Sequence, residues 1–262
     1  MTTHGTSASG RGAQDESAHE TDTDLRRTVW ITGAGSGMGR ATALRAARNG
    51  WTVALSGRRE AQLEQLAAEI HEAGGTALVA PLDVQDRGAV RKTADRLAAE
   101  HGGIDALVLA AGLNAPQRRW EDQELTEFDA IVATNLTAVA SSVDAALPHL
   151  RVRGGQVVVI SSYAGWSFQP GAGVAYSASK TALGSLVRTL NQQEAAHGVR
   201  ACHLCPGDVA TDFLDQRPSV PDAAARARML SAEDIARTAC FVLDSPAHVR
   251  IDELVVSPVS QA

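Results

Sequence analysis

The stretch that decides the fold is TVWITGAGSGMGR, residues 28–40. A short apolar run enters a turn rich in glycine, and a helical pattern begins directly after it. Such a turn lets backbone N–H groups approach a pyrophosphate at the N-terminus of a helix. The common G-x-G-x-x-G spacing fails, because Met38 or Arg40 would have to be glycine. The spacing that fits is T-G-x-x-x-G-x-G, formed by Thr32, Gly33, Gly37 and Gly39.

Apolar runs and helical patterns alternate along the rest of the chain. Short apolar runs are separated by amphipathic stretches such as EAQLEQLAAEIHEAG, residues 60–74. Continuous apolar strands indicate burial on both faces, and their alternation with helices indicates βαβ units. We therefore predict an α/β fold: one Rossmann-like doubly wound sheet of about seven parallel strands with helices on both faces and right-handed crossovers. The predicted strands lie in TVWITG, WTVALSG, TALVAPLD, IDALVLAAG, GQVVVISS, VRACHLCPG and IDELVVSP.

Length and composition set limits on the class of protein. The chain has 262 residues, 44% hydrophobic and 21% charged, with a net charge of −6. One domain is expected over 27–262. The polar segment 1–26 predicts a disordered tail, with a partner-binding arm as the alternative. The sequence has no basic patch, which argues against nucleic-acid binding. It also has no apolar run long enough to span a bilayer and no secretory signal, so a cytoplasmic location is expected.

Two of the three cysteines form CHLC, residues 202–205. This spacing is also found in redox and zinc motifs, but the surrounding residues predict a buried strand. Thiols three residues apart on a strand point to opposite faces, and the sequence has no second cysteine pair to complete a zinc site. We therefore expect buried core cysteines and no metal.

The motif YSASK, residues 176–180, places Tyr176 and Lys180 four residues apart, on one face of a predicted helix. A free tyrosine has a pKa of about 10, too high for a general base at neutral pH. An ammonium group and a positively charged nicotinamide ring nearby would favour the phenolate and lower that pKa. Tyr176 is therefore the candidate acid and base of a proton transfer.

Five motifs in one order carry a resemblance to a known family: the glycine turn, TNLT (134–137), SS (161–162), YSASK and PGDVAT (206–211). Over about residues 28–258 the chain resembles the short-chain dehydrogenase/reductase family. The resemblance implies an NAD(P)-dependent oxidoreductase that interconverts a secondary alcohol and a ketone. It implies that Ser162 holds the substrate oxygen, that Lys180 binds the nicotinamide ribose, and that Asn135 links Lys180 to solvent through water. The implied catalytic residues are Asn135, Ser162, Tyr176 and Lys180.

The residues after the second strand bear on the choice of cofactor. Gly57 stands where NAD-selective folds carry an acid, and Arg58 and Arg59 follow it. A guanidinium suits a 2′-phosphate, so NADP(H) is favoured with Arg58 as the main contact, and NAD(H) stays open. The alternative leaves both arginines solvated.

Other cofactor contacts follow from the resemblance. Asp83 and Val84 resemble the adenine contact, and the alternative for Asp83 is a helix N-cap. The family's Asn-Asn-Ala-Gly is LAAG here, so only backbone contacts at Ala111 and Gly112 carry over. The expected cofactor residues are Gly33, Ser36, Gly37, Met38, Gly39, Arg58, Asp83, Val84, Ala111, Gly112, Tyr176, Lys180, Pro206, Gly207, Val209 and Thr211.

Two segments are expected to shape the substrate pocket, 165–174 and a lid at 212–230. Besides Ser162, the aromatic residues Trp166, Phe168 and Phe213 are candidates for an apolar lining. Arg217 is either an anchor for an acidic substrate or a solvated lid residue. The substrate stays open among hydroxy acids, polyols, oxoacyl esters and simple ketones.

Two rival functions stay open. One is an epimerase or dehydratase of nucleotide sugars, although such relatives carry a longer C-terminal substrate domain than the residues after PGDVAT provide. The other is a non-catalytic dinucleotide sensor or scaffold. The resemblance also implies a homodimer or homotetramer.

Overall fold

The computed structural model describes Met1 and residues 27–261, so the predicted tail lies, apart from Met1, outside the described residues. Seven strands form one parallel sheet in the order β3-β2-β1-β4-β5-β6-β7. The predicted fold class and strand number are confirmed. The strands are β1 (Thr28–Thr32), β2 (Thr52–Ser56), β3 (Thr76–Val79), β4 (Ala106–Leu109), β5 (Gln156–Ile160), β6 (Arg200–Pro206) and β7 (Glu253–Val256).

Helices cover both faces of the sheet. They are α1 (Gly37–Arg48), α2 (Glu60–Glu72), α3 (Arg87–His101), α4 (Leu125–Val132), α5 (Ala138–Leu150), α6 (Tyr163–Trp166), α7 (Val174–Gln193), α8 (Ala223–Arg226) and α9 (Ala232–Leu243). Helices α1, α2 and α9 share one apolar core with the sheet, and α3, α5 and α7 share the other. This arrangement explains why the strand sequences are apolar without alternation: successive side chains enter different cores.

Strand β1 shows this division residue by residue. Val29 and Ile31 belong to the core with α1 and α9, whereas Trp30 belongs to the core with α3 and α7. The indole Nε1 of Trp30 donates to Ser56 Oγ at 2.9 Å, so its polar atom is paired inside the core.

Helix α9 begins with the capping box that the sequence SAED predicts. Asp234 N donates to Ser231 Oγ at 3.2 Å, and Ser231 N donates to Asp234 Oδ2 at 2.9 Å. Two backbone donors at the helix start are satisfied in this way.

The helical run Leu125–Leu150 corrects one expectation. It is 26 residues long, and an 18-residue window within it has a mean hydropathy of 1.4, so by length and composition it could cross a membrane. The run consists of α4, a π-helical turn at Ala133–Thr137 and α5. It carries the buried polar residue Asn135, and Ile131 and Ala146 are fully buried within the fold. The α5 part packs on the sheet through residues such as Ala146. The sequence analysis missed this run because polar residues interrupt it.

Candidate active site

A cavity of about 870 Å³ lies where the loops that follow strands β1 to β6 come together. Ligands of open α/β sheets bind at this carboxyl edge, because the loops diverge where the strand order reverses. Here the strand order reverses between β1 and β4: β2 and β3 lie on one side of β1, and β4 lies on the other. All of the expected cofactor residues line the cavity: Gly33, Ser36, Gly37, Met38, Gly39, Arg58, Asp83, Val84, Ala111, Gly112, Tyr176, Lys180, Pro206, Gly207, Val209 and Thr211.

In the glycine turn and the first turn of α1, a Cβ on either of two glycines would clash with backbone atoms. Gly33 has a φ of +67°, and a Cβ there would lie 2.6 Å from Ala111 N. A Cβ on Gly39 would lie 2.3 Å from Gly33 O. The backbone is therefore packed against backbone, and N–H groups at the start of α1 border the cavity without side chains in front of them. These features fit the pyrophosphate of a dinucleotide.

The end of β2 supplies positive charge to the same cavity. Arg58 and Arg59 both line it, and Arg59 Nη2 donates to Ser36 Oγ at 3.1 Å. Arg59 thus reaches the glycine turn, whereas the sequence analysis named Arg58 as the main contact for a 2′-phosphate. Two guanidinium groups at this corner suit a phosphate.

Asp83 is exposed and borders the cavity next to the buried Val84. Its Oδ1 accepts a hydrogen bond from Gln85 N at 3.0 Å. The N-cap of α3 is Asp86, whose side chain accepts from Ala89 N. The alternative role of Asp83 as the helix N-cap is therefore wrong.

Helix α7 carries Tyr176 and Lys180 into the cavity. Lys180 Nζ lies 5.6 Å from the centre of the Tyr176 ring and donates to Ile160 O at 3.2 Å. The lysine is only 4% exposed. Because burial disfavours the ammonium form, the pKa of Lys180 falls to about 8.

The pKa of Tyr176 moves in the direction opposite to the one expected. Burial is the largest influence and raises it, while a hydrogen bond with Ser162 and the charges of Arg217 and Arg118 act to lower it. Lys180, whose Nζ donates to Ile160 O, is not among these influences. In the protein without a bound dinucleotide the phenol is therefore a proton donor at neutral pH.

Ser162 and Ser161 have different partners. Ser162 caps the short helix α6, its Oγ accepting from Ala164 N at 3.2 Å. Ser161 is 3% exposed, and its Oγ donates to Lys180 O at 3.3 Å. Only Ser162 is linked to the Tyr176 hydroxyl. The structure thus brings together the serine, tyrosine and lysine selected from the sequence.

Asn135 lies in the π-helical turn and is fully buried. Its Oδ1 accepts from Leu113 N at 2.8 Å, and its Nδ2 donates to Leu113 O at 2.9 Å and to Ser179 Oγ at 3.2 Å. Asn135 does not line the cavity itself. A Cβ placed on Gly112 would lie 3.7 Å from Asn135 Oδ1 and 3.9 Å from Lys180 Nζ, so both side chains approach Gly112. Such π-helical turns are frequent at functional sites.

The expected aromatic lining is only partly present. Phe213 lines the cavity, with its ring 6.1 Å from that of Tyr176. Trp166 and Phe168 do not line it, and they are 50% and 80% exposed. The reason is helix α6, a single turn in which Trp166 packs edge-on against Tyr163.

Among the cavity residues that the sequence analysis missed, four make contacts between distant segments. Gln216 joins the lid to the loop after β4, since its Oε1 accepts from Asn114 N at 2.8 Å. Gln261 Oε1 accepts from Asp208 N, also at 2.8 Å. The local spacing of residues cannot predict contacts between pairs this far apart in the sequence. These four residues are Asn114, Arg118, Gln216 and Gln261.

The CHLC cysteines are buried, as expected, and burial raises the pKa of each thiol to about 12. Cys202 packs in the core, and Cys205 Sγ lies 3.4 Å from His203 Nδ1. That same nitrogen lies 3.0 Å from Glu253 Oε2. These three side chains have ligand-type atoms within 4.8 Å of one another. Their hydrogen bonds already join β6 to β7.

Comparison with known proteins agrees with this geometry. The family model described as short chain dehydrogenase matches residues 27–221. Sulfoacetaldehyde reductase 2 of Chromohalobacter salexigens is 35% identical over 241 residues, or 89% of this chain and 95% of the relative.

Solved structures also match over most of their length. An alcohol dehydrogenase from the archaeon Thermococcus sibiricus, complexed with 5-hydroxy-NADP, has a TM-score of 0.82 at 30% identity, covering 90% of this chain and 98% of its own. A short chain dehydrogenase from Mycobacterium paratuberculosis bound to NAD has a TM-score of 0.77 at 28% identity, covering 88% and 97%. The fold, the glycine turn and these likenesses agree: the chain belongs to the short-chain dehydrogenase/reductase family of NAD(P)-binding oxidoreductases.

Proposed function

We propose that the protein interconverts a secondary alcohol and a ketone with NADP(H) as the favoured cofactor. The observation that carries this proposal is the presence of Ser162, Tyr176 and Lys180 in one cavity with the glycine turn. A protein that only bound a dinucleotide would have no need of a tyrosine that shares a hydrogen bond with a serine beside a buried lysine.

A nicotinamide dinucleotide held at the glycine turn would supply the hydride in reduction and accept it in oxidation. In reduction, the Tyr176 hydroxyl would give its proton to the carbonyl oxygen. Ser162 binds the same oxygen and stabilises the charge that develops there. The raised pKa of Tyr176 keeps its proton available at neutral pH. In oxidation, the phenolate takes the proton from the alcohol.

Lys180 and Asn135 have supporting roles in this scheme. Lys180 can give up its ammonium proton near neutral pH because its pKa is about 8. Asn135 approaches Gly112, as Lys180 does, and accepts from the backbone of the cavity-lining residue Leu113. This arrangement suits the relay of a proton from solvent towards the tyrosine.

Two arginines support the preference for NADP(H). The relatives leave the choice open, since the Thermococcus enzyme was solved with an NADP derivative and the Mycobacterium enzyme with NAD. In this chain Gly57 replaces the acid that would bind a ribose hydroxyl, and Arg58 and Arg59 line the cavity beside Ser36. A 2′-phosphate would meet charge-assisted hydrogen bonds here.

The first experiment measures NADPH and NADH oxidation over a broad panel of ketones and aldehydes, with Tyr176→Phe beside the wild type. Turnover is expected for one class of carbonyl, and the variant should lose at least about 100-fold in kcat, the usual size of a proton-transfer contribution. Tyr163→Phe is the matched control, because it removes the other phenol of the chain. Its rate should fall far less.

The opposite result has a clear meaning. If Tyr176→Phe turns over as fast as the wild type, Tyr176 is not the acid or base. If the wild type binds NADPH tightly but oxidises it with no carbonyl of the panel, the protein is better described as a dinucleotide sensor.

A further inference from the structure

Arg118 is a buried arginine in the loop after β4, 7% exposed and in the lining of the cavity. Its Nε donates to Ala115 O at 2.8 Å, its Nη1 to Gly171 O at 3.3 Å and its Nη2 to Gln216 O at 2.5 Å. The three acceptors belong to its own loop, to the segment before α7 and to the lid. The guanidinium is therefore held in one place by three parts of the chain.

The charge of Arg118 is not neutralised by these bonds. A guanidinium has five N–H donors, and three neutral carbonyls leave two of them over. Within residues 27–261, no ion pair of Arg118 with a carboxylate is formed. Burial lowers its pKa, the sign of an unfavourable environment for a cation. Buried charges are ordinarily paired, so this one calls for a partner.

The position of Arg118 is close to the reacting centre. Val174 N, at the start of α7, donates to Arg118 O at 3.1 Å, and a Cβ on Gly173 would lie 2.5 Å from Arg118 Cβ. Tyr176 follows on the first turn of the same helix. The charge of Arg118 acts on the Tyr176 hydroxyl, as does that of Arg217.

The other charges in this part of the cavity do not cancel Arg118. Arg217 repels it, and is itself paired with Asp208, whose Oδ1 accepts from Arg217 Nη2 at 2.5 Å. Asp212 also lines the cavity, but it is exposed to solvent. Arg118 is thus a cation that no nearby carboxylate of the described chain neutralises, and the charge of Arg217 also acts on it.

We propose that the substrate carries a carboxylate or a sulfonate, and that Arg118 binds this group while the carbonyl lies at Tyr176. This inference rests on the proposed function and adds the substrate class to it. A guanidinium presents two parallel donors to two oxygens of such an anion, which fixes its orientation as well as its charge. Arg217 adds to the attraction from the lid.

The competing explanation is that Arg118 only ties three loops together. Hydrogen bonds to carbonyls can be made by neutral amide groups, whose burial costs far less than that of a charge. The tie alone does not account for a charged group at the reacting end of the cavity.

The test compares ketones that differ in charge but hardly in shape: acetoacetate with acetoacetamide, and acetonesulfonate with methylsulfonylacetone. The wild type should prefer the anion in each pair by about 10- to 100-fold in kcat/KM, the range expected for charge-assisted hydrogen bonds. In Arg118→Gln this ratio should fall towards one. Because both ketones are measured on the same sample, loss of folded protein cancels in the ratio.

Two further variants separate charge from structure. Arg119→Gln is the matched control, since Arg119 is 79% exposed and lies outside the cavity lining. Its ratio should equal that of the wild type. Arg118→Lys keeps the charge and loses the two-pronged geometry, so it should keep part of the preference.

A binding measurement distinguishes failure of this inference from failure of the proposed function. Methanesulfonate should bind the protein saturated with NADPH and bind Arg118→Gln at least tenfold more weakly, whereas dimethyl sulfone should bind neither. Such binding without turnover of any ketone would uphold the anion site and overturn the proposed oxidoreductase. Equal turnover of the charged and neutral ketones, or an unchanged ratio in Arg118→Gln, would overturn the anion site alone.

Discussion

At the scale of single residues, Lys180 shows how the site costs stability. Its ordinary pKa is 10.5, and in the folded protein it is about 8. Between these two values the unfolded chain binds a proton that the folded protein does not, so stability rises with pH across this window. Below about pH 8 both states are protonated, and the folded state bears the full cost of the buried charge.

Replacing the lysine should therefore remove this pH dependence. In Lys180→Met without cofactor, the free energy of unfolding should lose a slope of up to about 1.4 kcal/mol per pH unit between pH 8 and 10. Urea denaturation at a series of pH values measures it. Lys92→Met, at the only other lysine of the chain and exposed on α3, should keep the wild-type slope. An unchanged slope in Lys180→Met would contradict the lowered pKa.

The choice of cofactor is a second question about single residues. Arg58→Ala and Arg59→Ala should each raise the Kd for NADPH by about tenfold or more and leave that for NADH nearly unchanged, because only NADPH carries the 2′-phosphate. Fluorescence titration with both dinucleotides measures this. Arg96→Ala, on the exposed face of α3, is the control. Equal Kd values for the two dinucleotides in the wild type would refute the preference.

The sequence was informative where chemistry depends on local spacing. Tyr176 and Lys180 could be found because four residues on a helix bring two side chains to one face. Arg118 could not be found, because its guanidinium is held in place by carbonyls at positions 115, 171 and 216, which are far apart in the sequence. The sign of the Tyr176 shift was also out of reach, since burial is a property of the assembled cavity.

At the scale of elements, the turn between β1 and α1 is determined by its closest contacts. Gly39→Ala would place a Cβ 2.3 Å from Gly33 O, a backbone atom that cannot rotate away. We expect a loss of stability of about 1–3 kcal/mol and a fall in Tm of several degrees, with weaker dinucleotide binding. Thermal unfolding measures the first effect and cofactor titration the second.

Gly35→Ala provides the comparison within the same turn. Its nearest neighbour would be Gln62 Oε1 at 3.2 Å, the far end of a flexible side chain. Alanine there should cost much less than at Gly39. If both substitutions cost the same, the glycines would matter for flexibility rather than for the close approach of backbone to backbone.

Elements with weak sequence signals were the ones that sequence analysis described least well. The short helix α6 turns Trp166 towards Tyr163, and the segment after it leaves Phe168 exposed. A single helical turn has no periodicity that could predict its direction. By contrast, the capping box of α9 is local, and the structure shows it as predicted.

At the scale of the whole molecule, the parallel sheet explains how distant motifs meet. The residues of the site follow β1, β2, β4, β5 and β6, and a parallel arrangement brings all of these strand ends to one edge. The alternation of apolar strands and amphipathic helices was enough to predict this arrangement. It did not predict how the lid lies on the cavity, which depends on contacts such as that of Gln216 with Asn114.

The lateral edge of the sheet formed by β7 bears on assembly. Strand β7 pairs with β6 and is the last strand in the sheet order, so it is an edge strand. Leu254 and Val256 pack on the core that holds α9, while Val255 is 36% exposed. On α9, Phe241 is 63% exposed. The edge of β7 and the exposed ring of Phe241 are both features that a second copy of the chain can cover.

We expect the protein to form a homodimer or homotetramer through these features, because a partner would bury Phe241 and shield the edge of β7. Light scattering coupled to gel filtration should give a mass at least twice that of the chain, and Phe241→Asp should lower it by placing a charge in the interface. Val152→Asp introduces the same charge at a residue that is 78% exposed after α5, and should leave the mass unchanged. A wild type that is monomeric at micromolar concentration would refute the assembly. A Phe241→Asp variant with the wild-type mass would place the interface elsewhere, because a buried aspartate without a partner is too unfavourable to be accommodated silently.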